Sequence, residues 1–215
     1  MTVAEGFPKA NDAYVANFGD KGSLPMPPGR HVAIVTCMDA RLDPAAHLGL
    51  KEGDAHVIRN AGGIASDALR SIVVSQRLLG TREIALFHHT DCGMLTFNTP
   101  QLRTIVKDAA PGDSDIAARV DNIHFHEFSN VDEAVKKDVE WLKAHPLVLK
   151  DIPITGWVYE VETGEASRLI PRGSQRVWEA SSLNPWGFTV PDPTEIMKRN
   201  LTDAFTEYVD RTSTP

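Results

Sequence analysis

The chain has 215 residues, of which 42% are hydrophobic, and this is enough to bury one core. A net charge of −7 at pH 7 and scattered basic residues argue against nucleic acid or an anionic membrane as the main partner. The apolar runs are far shorter than a membrane span, and residues 1–19 do not have the pattern of a secretory signal. We therefore expect a single-domain cytoplasmic protein over residues 1–215, whose two cysteines stay reduced.

The predicted elements begin with an N-terminal arm over residues 1–24. Residues 7–18 have the spacing of an amphipathic helix that could pack on a neighbouring molecule, through Ala10, Tyr14, Val15 and Phe18. The core is expected over residues 25–170. Its first two strands are predicted from short apolar, β-branched runs at 31–36 and 55–58.

A helix and a third strand follow the turn-like segment 59–63. Ser66 or Asp67 is placed to cap the helix. Gly80 closes its apolar stripe, which comprises Leu69, Ile72, Val73 and Leu79. The third strand is predicted over residues 83–87 and ends at His88 and His89.

The second half of the core is predicted to contain a helix over residues 131–145, which Pro146 stops. A fourth strand and a short fifth strand, joined by a hairpin turn at 162–165, are predicted over 154–159 and 166–169. Strands that alternate with helices indicate an α/β fold with a mostly parallel central sheet. We expect four parallel strands and a short edge strand, flanked by helices.

Two stretches resist assignment. Residues 97–128 carry only short helical patterns, at 101–107 and 116–120. The C-terminal extension over residues 171–215 is expected to end in a helix over 194–209. Its aromatic residues could shape the entrance of a pocket; they include Trp178, Trp186 and Phe188.

The two cysteines and one histidine lie directly after predicted strands. In parallel sheets, ligands bind beyond the carboxyl ends of the strands, where the strand order reverses. Cys37, His89 and Cys92 would give one Zn²⁺ three ligands and leave a fourth position open, as in catalytic zinc sites. The alternative is that both cysteines are ordinary buried thiols and the histidine is a packed core residue.

Asp39 and Arg41 follow the first cysteine and can pair with each other. A carboxylate beside a metal can orient the water that the metal activates, and the guanidinium can hold that carboxylate bidentately. Without Arg41, Asp39 could become a fourth ligand and close the site. The alternative is a plain surface ion pair.

The segment 59–63 offers backbone N–H groups that could line a substrate pocket, at Asn60, Ala61, Gly62 and Gly63. A purely structural turn is the alternative. His88 is expected to face away from the metal, in a packing or hydrogen-bonding role. His124 and His126 lack a companion cluster, so we interpret them as solvated or packed.

Three motifs resemble those of the β-class carbonic anhydrases: Cys37-Met-Asp39-Ala-Arg41, Arg59-Asn-Ala-Gly-Gly63 and His88-His-Thr-Asp-Cys-Gly-Met94. The last is similar to the compact branch called clade D. The resemblance implies zinc on Cys37, His89 and Cys92, with Asp39 and Arg41 as the catalytic dyad. It also implies a homodimer or higher even oligomer, with the N-terminal arm reaching across to the partner.

The resemblance implies hydration of CO₂ to bicarbonate. The same branch contains enzymes that hydrolyse carbonyl sulfide (COS) to CO₂ and H₂S, or that hydrolyse carbon disulfide, with an identical metal set. A non-catalytic metal-bound scaffold is a lesser alternative, and the intact Asp39–Arg41 pair argues against it. A thiol redox protein is disfavoured because the chain has no CxxC motif.

Overall fold

A computed structural model describes residues 2–170. Its strands are β1 (Val32–Cys37), β2 (Ala55–Asn60), β3 (Glu83–His89), β4 (Ile154–Tyr159) and β5 (Ala166–Ile170). Its α-helices are α1 (Phe7–Val15), α2 (Pro44–His47), α3 (Leu69–Arg77), α4 (Thr99–Asp108), α5 (Ser114–Asp121) and α6 (Val131–Ala144). Short 3₁₀ helices occur at Val3–Gly6, Lys21–Ser23, Ala61–Gly63 and Gly93–Leu95. Within this range, no helix has both the length and the apolar character needed to cross a membrane.

In the described residues the strands form one sheet, in the order β2-β1-β3-β4-β5. β1 pairs in parallel with both β2 and β3, and β3 pairs in parallel with β4. Only the edge strand β5 is antiparallel. The prediction of four parallel strands and a short edge strand is confirmed. Because β1 is followed by its neighbour β2 on one side and β3 by its neighbour β4 on the other, the strand order reverses at the carboxyl ends of β1 and β3.

The main core lies between one face of this sheet and the helices α3 and α6. Its fully buried side chains come from alternate positions of the strands and from one stripe of each helix; they include Val35, Ile84, Leu86, Ile72, Val139 and Leu142. Burying each such side chain stabilises the fold by roughly 1.5–3 kcal/mol. A smaller cluster of Cys37, Leu42, Cys92 and Met94 lies at the carboxyl ends of the strands.

The predicted side-chain cap of α3 is wrong. The helix begins at Leu69 with Ala68 as its N-cap, and neither Ser66 nor Asp67 caps it. Ala65 and Ala68 are buried, so the preceding turn packs into the core. The Ala65 N–H donates to the carboxylate of Asp138 on α6 at 3.0 Å. A side chain distant in the sequence therefore anchors the segment that leads into α3.

Residues 97–128 contain two helices that the sequence pattern only hinted at. Asn98 and Gln101 form a reciprocal capping box at the start of α4, and Asp113 caps α5. At the N-terminus, α1 forms where an amphipathic helix was expected, and none of its residues is buried. The Tyr14 hydroxyl donates to Glu52, which links the arm to the loop before β2. The predicted helix over 194–209 lies outside the described residues.

Candidate metal centre and active site

Cys37, His89 and Cys92 meet at the carboxyl edge of the sheet. Cys37 ends β1, His89 ends β3, and Cys92 follows three residues later, before the Gly93–Leu95 turn. All three side chains are buried, and their ligand atoms lie within 4.8 Å of one another. Among residues 2–170, they are the only group of three or more potential metal ligands found together. The structure therefore brings together the three residues that the sequence singled out as ligands.

The histidine presents the correct nitrogen for a metal. The Nδ1 of His89 lies 2.8 Å from the Thr90 carbonyl oxygen, which can only accept, so Nδ1 carries the proton. The other nitrogen, Nε2, is fully buried and has no hydrogen-bond partner in the described part of the chain. A buried, unpaired ring nitrogen is costly unless something coordinates it. This pattern fits a metal ligand whose orientation is fixed by a backbone acceptor.

The two thiols also fit a divalent cation. A hydrogen bond from the Cys92 thiol lowers the pKa of Cys37, and the same interaction raises the pKa of Cys92. The two sulfurs thus compete for one proton, a competition that a cation would remove by binding both as thiolates. The Gly62 N–H donates to the Cys37 sulfur at 3.3 Å and further stabilises its negative charge.

Asp39 and Arg41 form a close ion pair next to the ligands. The Arg41 side chain donates from Nε to Oδ1 of Asp39 at 3.0 Å and from Nη2 to Oδ2 at 2.8 Å. The Arg41 backbone N–H donates to the same Oδ1 at 2.9 Å. The side-chain bonds, followed by the backbone bond, hold the pKa of Asp39 well below its usual range. Asp39 Oδ2 lies 3.9 Å from Nε2 of His89, so an ionised carboxylate borders the ligand set.

The segment 59–63 supports the site mainly through its backbone and one side chain. Arg59 donates to the carbonyl oxygens of Cys37 at 3.0 Å and of Asp39 at 2.6 Å, a role that the sequence analysis did not foresee. Asn60 does not line the cavity, because its amide bonds both the N–H and the C=O of Ile64. Gly63 does not line it either, since it packs against the backbone of β1 and β3. Of the four predicted pocket residues, only Ala61 and Gly62 line the cavity.

An apolar cavity of about 390 Å³ opens beside the ligands. Cys37, Asp39 and Cys92 contribute to its lining. Its walls are almost entirely apolar and include Met38, Met94, Phe97, Leu102 and Phe125. The last three lie in the stretch that the sequence analysis left unassigned. The capping box at Asn98 was the available signal that a helix begins there.

His88 faces the opposite way from His89, as predicted. Its Nε2 lies 3.3 Å from Oδ2 of Asp138, and its ring packs against Phe128. A separate cavity of about 280 Å³ lies on this side and is lined by His88, Phe128, Asp138 and Trp141, among others. His124 and His126 lie with ring centroids 6.2 Å apart, and neither belongs to a group of three ligands within the described range.

The fold and the site together define a class of protein. It is an α/β protein in which two cysteines and a histidine that could hold a metal ion lie at the strand-order reversal of a mostly parallel sheet, beside an Asp–Arg pair. Three protein ligands are the number typical of catalytic zinc sites rather than structural ones.

Comparison with known proteins identifies the family. Residues 32–166 match the family model described as carbonic anhydrase. The chain is 43% identical over 172 residues to β-carbonic anhydrase 1 of Mycobacterium tuberculosis, covering 80% of this chain and all of that protein. This chain belongs to the β-carbonic anhydrase family.

Two further relatives are informative. The solved structure of a carbonic anhydrase from Glaciozyma antarctica is 59% identical, with a TM-score of 0.76, over 79% of this chain and 99% of that one. A carbon disulfide hydrolase from Acidianus sp. is 39% identical over 156 residues, which is 64% of this chain and 76% of that protein. The family therefore includes relatives named for two different substrates.

Proposed function

We propose that this protein is a zinc enzyme that hydrates CO₂ to bicarbonate. The observation that carries the proposal is the buried Cys37–His89–Cys92 cluster next to an ionised, arginine-held Asp39 that lines an apolar cavity. We assign one Zn²⁺ per chain to Cys37, His89 and Cys92. Zinc bound there would supply a Lewis acid that lowers the pKa of a coordinated water towards neutrality.

Asp39 has the role of orienting the attacking water. Its carboxylate stays ionised because Arg41 lowers its pKa, so it can only accept a hydrogen bond. A water that donates a hydrogen bond to Asp39 has its lone pair directed elsewhere, towards the substrate. Arg41 holds the carboxylate in this position through two side-chain bonds and one backbone bond.

The cavity accounts for the passage of substrate and product. CO₂ is small, linear and uncharged, and an apolar wall admits it without an unpaired polar group. Bicarbonate is charged, and an apolar wall offers it little stabilisation, which favours its release. Phe97, Leu102 and Phe125 contribute to this apolar wall.

Hydrolysis of COS or CS₂ is the second candidate. Two observations favour it: several relatives are named carbon disulfide hydrolases, and the cavity wall is almost entirely apolar. CO₂, COS and CS₂ are all linear and uncharged, so Asp39 and the three ligands would act on each in the same way. The apolar wall must therefore decide between oxygen and sulfur.

We also propose that the protein is a homodimer, or a higher even oligomer, in the cytoplasm. The N-terminal arm supports the proposed oligomer, because α1 and the turn before it expose apolar side chains that include Val3, Phe7 and Val15. Exposed apolar groups of this kind are typical of an interface. The buried free thiols support the cytoplasmic location, because a reducing compartment keeps them available to a metal.

The test uses one zinc-quantified preparation and compares kcat/KM for CO₂, by stopped-flow, with kcat/KM for COS and CS₂, by H₂S release. Fast CO₂ turnover with trace H₂S release is the expected result. Fast H₂S release with slow CO₂ hydration would assign the second candidate instead. A zinc-loaded protein inactive on all three gases would leave the metal-bound scaffold as the better account.

A further inference from the structure

Asp91 lies between the proposed ligands His89 and Cys92 in the sequence, and it has no assigned role in the proposed reaction. Its side chain and its backbone both contact Arg41. Nη1 of Arg41 donates to Oδ2 of Asp91 at 2.7 Å, and Nη2 donates to the Asp91 carbonyl oxygen at 2.9 Å. The guanidinium is therefore held by Asp39 on one edge and by Asp91 on another.

These bonds connect the two loops that follow β1 and β3. Arg41 belongs to the loop after β1, the strand that ends with Cys37, and Asp91 belongs to the loop after β3, which carries Cys92. A planar guanidinium held along one edge can still tilt about its single partner. A second anchor on another edge fixes its plane, because the donors of arginine form a rigid fork.

We propose that Asp91 is a positioning residue that fixes Arg41 and, through Arg41, keeps Asp39 beside the metal ligands rather than on the metal. Asp39 Oδ2 lies 3.9 Å from Nε2 of His89, close enough for a released carboxylate to reach an open coordination position. The kinetic part of this inference depends on the proposed function. The predicted effect of Asp91 on metal coordination does not depend on that function.

We expect Asp91 to hold Arg41 through the geometry of its hydrogen bond more than through its charge. The Asp91 side chain is 67% exposed and that of Arg41 is 49% exposed, so solvent screens their charges. An asparagine would keep an acceptor oxygen for Arg41, whereas a glycine would remove it. Both residues suit the backbone of Asp91, whose φ is +51°, in the left-handed region.

The experiment compares D91G and D91N as zinc-quantified proteins. We expect D91G to keep one zinc per chain. Its kcat/KM for CO₂ should fall about tenfold, the low end of the effect expected for a residue that positions the groups around a metal. D91N should lose at most about threefold, as for an exposed charge. In an R41A background, D91G should cause no further loss, because the residue through which Asp91 acts is absent.

A second measurement is independent of activity. In Co²⁺-substituted protein, the visible spectrum of D91G should shift towards that of R41A, because in both variants Asp39 is freed to compete for the open position. D115N is the matched control. Asp115 accepts from Arg119 at 2.7 Å in an exposed pair remote from the site, and its variant should match the wild type in rate and spectrum.

Three results would overturn the inference: a D91G variant with wild-type rate and spectrum, zinc loss in D91G in proportion to its lost activity, or an undiminished D91G effect in the R41A background. Absence of hydration by the wild type would instead contradict the proposed function. The cobalt spectra would still decide the role of Asp91 in that case.

Discussion

Gly63 shows how closely single residues near the proposed metal ligands are constrained. Its φ is +73°, and a Cβ built there would lie 2.8 Å from the carbonyl oxygen of Phe87, 2.9 Å from the carbonyl carbon of Thr36 and 3.0 Å from the backbone nitrogen of Cys37. These are backbone atoms of β1 and β3, which cannot rotate away. Glycine at this position lets the 61–63 turn rest directly on the strands that end in ligands.

We therefore expect G63A to destabilise the protein by about 3 kcal/mol more than G112A, because a clash with backbone adds to the cost of the left-handed conformation. G112A is the matched control, since Gly112 has φ +83° and open space around the position of a Cβ. Urea unfolding of the zinc-loaded proteins measures the difference. Equal losses of unfolding free energy in the two variants would show that only the left-handed backbone conformation, and no clash with the strands, disfavours alanine at Gly63.

The residues around the proposed metal site were predictable to different degrees. Cys37, His89 and Cys92 could be predicted because strand ends in a parallel sheet converge, and Asp39 and Arg41 because they are close in sequence. The roles of Arg59 and Asp91 could not, since each depends on a contact between residues 20 or 50 positions apart in the sequence. Asn60 and Gly63 were placed in the pocket by their motif, but local bonding and packing use them elsewhere.

At the scale of elements, the loop before α6 is anchored to the start of α4 by Glu127. Its carboxylate accepts from both the N–H and the hydroxyl of Thr99, each at 2.7 Å. The hydroxyl bond, followed by the N–H bond, lowers the pKa of Glu127. This anchor holds Phe125 and Phe97 near each other, with ring centroids 6.4 Å apart, and both line the cavity.

E127Q should lose about 1 kcal/mol of unfolding free energy at pH 7, because the amide keeps only one acceptor oxygen. Since the folded-state pKa of Glu127 is lowered, its contribution is complete above the unfolded-state pKa of about 4.3 and is lost as the pH falls through the folded value. The difference between wild type and E127Q should therefore shrink below about pH 4.

Urea unfolding at several pH values measures this difference, with E165Q, an exposed glutamate of the β4–β5 hairpin, as the control. E165Q should follow the wild type across the whole range. A difference for E127Q that stays constant down to pH 3, or that grows on acidification, would contradict the proposed anchor.

The sheet itself was largely predictable because its strands are continuous apolar runs. The predicted 154–159 strand matches β4, and the predicted 131–145 helix differs from α6 by one residue at its end. The predicted third strand, over residues 83–87 and ending at His88 and His89, agrees with β3, whose pairing with β4 extends to the pair His89–Tyr159. The start of α3 was mispredicted because its anchor, Asp138, lies on a helix distant in the sequence.

At the scale of the molecule, the N-terminal arm exposes several apolar side chains in the part of the chain that the structure describes. Phe7 is 62% exposed and Val15 is 58% exposed, although both belong to an amphipathic helix. Tyr14 and Lys21 hold Glu52, so the arm is attached to the body by polar contacts while its apolar side chains face outwards. In the proposed homodimer, a partner chain would cover these apolar side chains.

We expect F7S/V15S to dissociate more readily than the wild type, because each substitution removes apolar area from the proposed interface. L147S is the matched control, since Leu147 is 52% exposed but lies after α6 and outside the arm. Sedimentation velocity over a dilution series measures the dissociation. An unchanged oligomer in F7S/V15S, or an equal effect in L147S, would contradict the role of the arm.

The most direct test of the whole account compares zinc content and kcat/KM for CO₂ in C92S and R41A beside the wild type. Loss of Cys92 should remove zinc and activity together, because only two ligands remain. Loss of Arg41 should leave zinc bound and lower the rate about 10–100-fold, because Asp39 is no longer held. A fully active C92S variant would contradict the assignment of the metal centre, and with it the proposed mechanism.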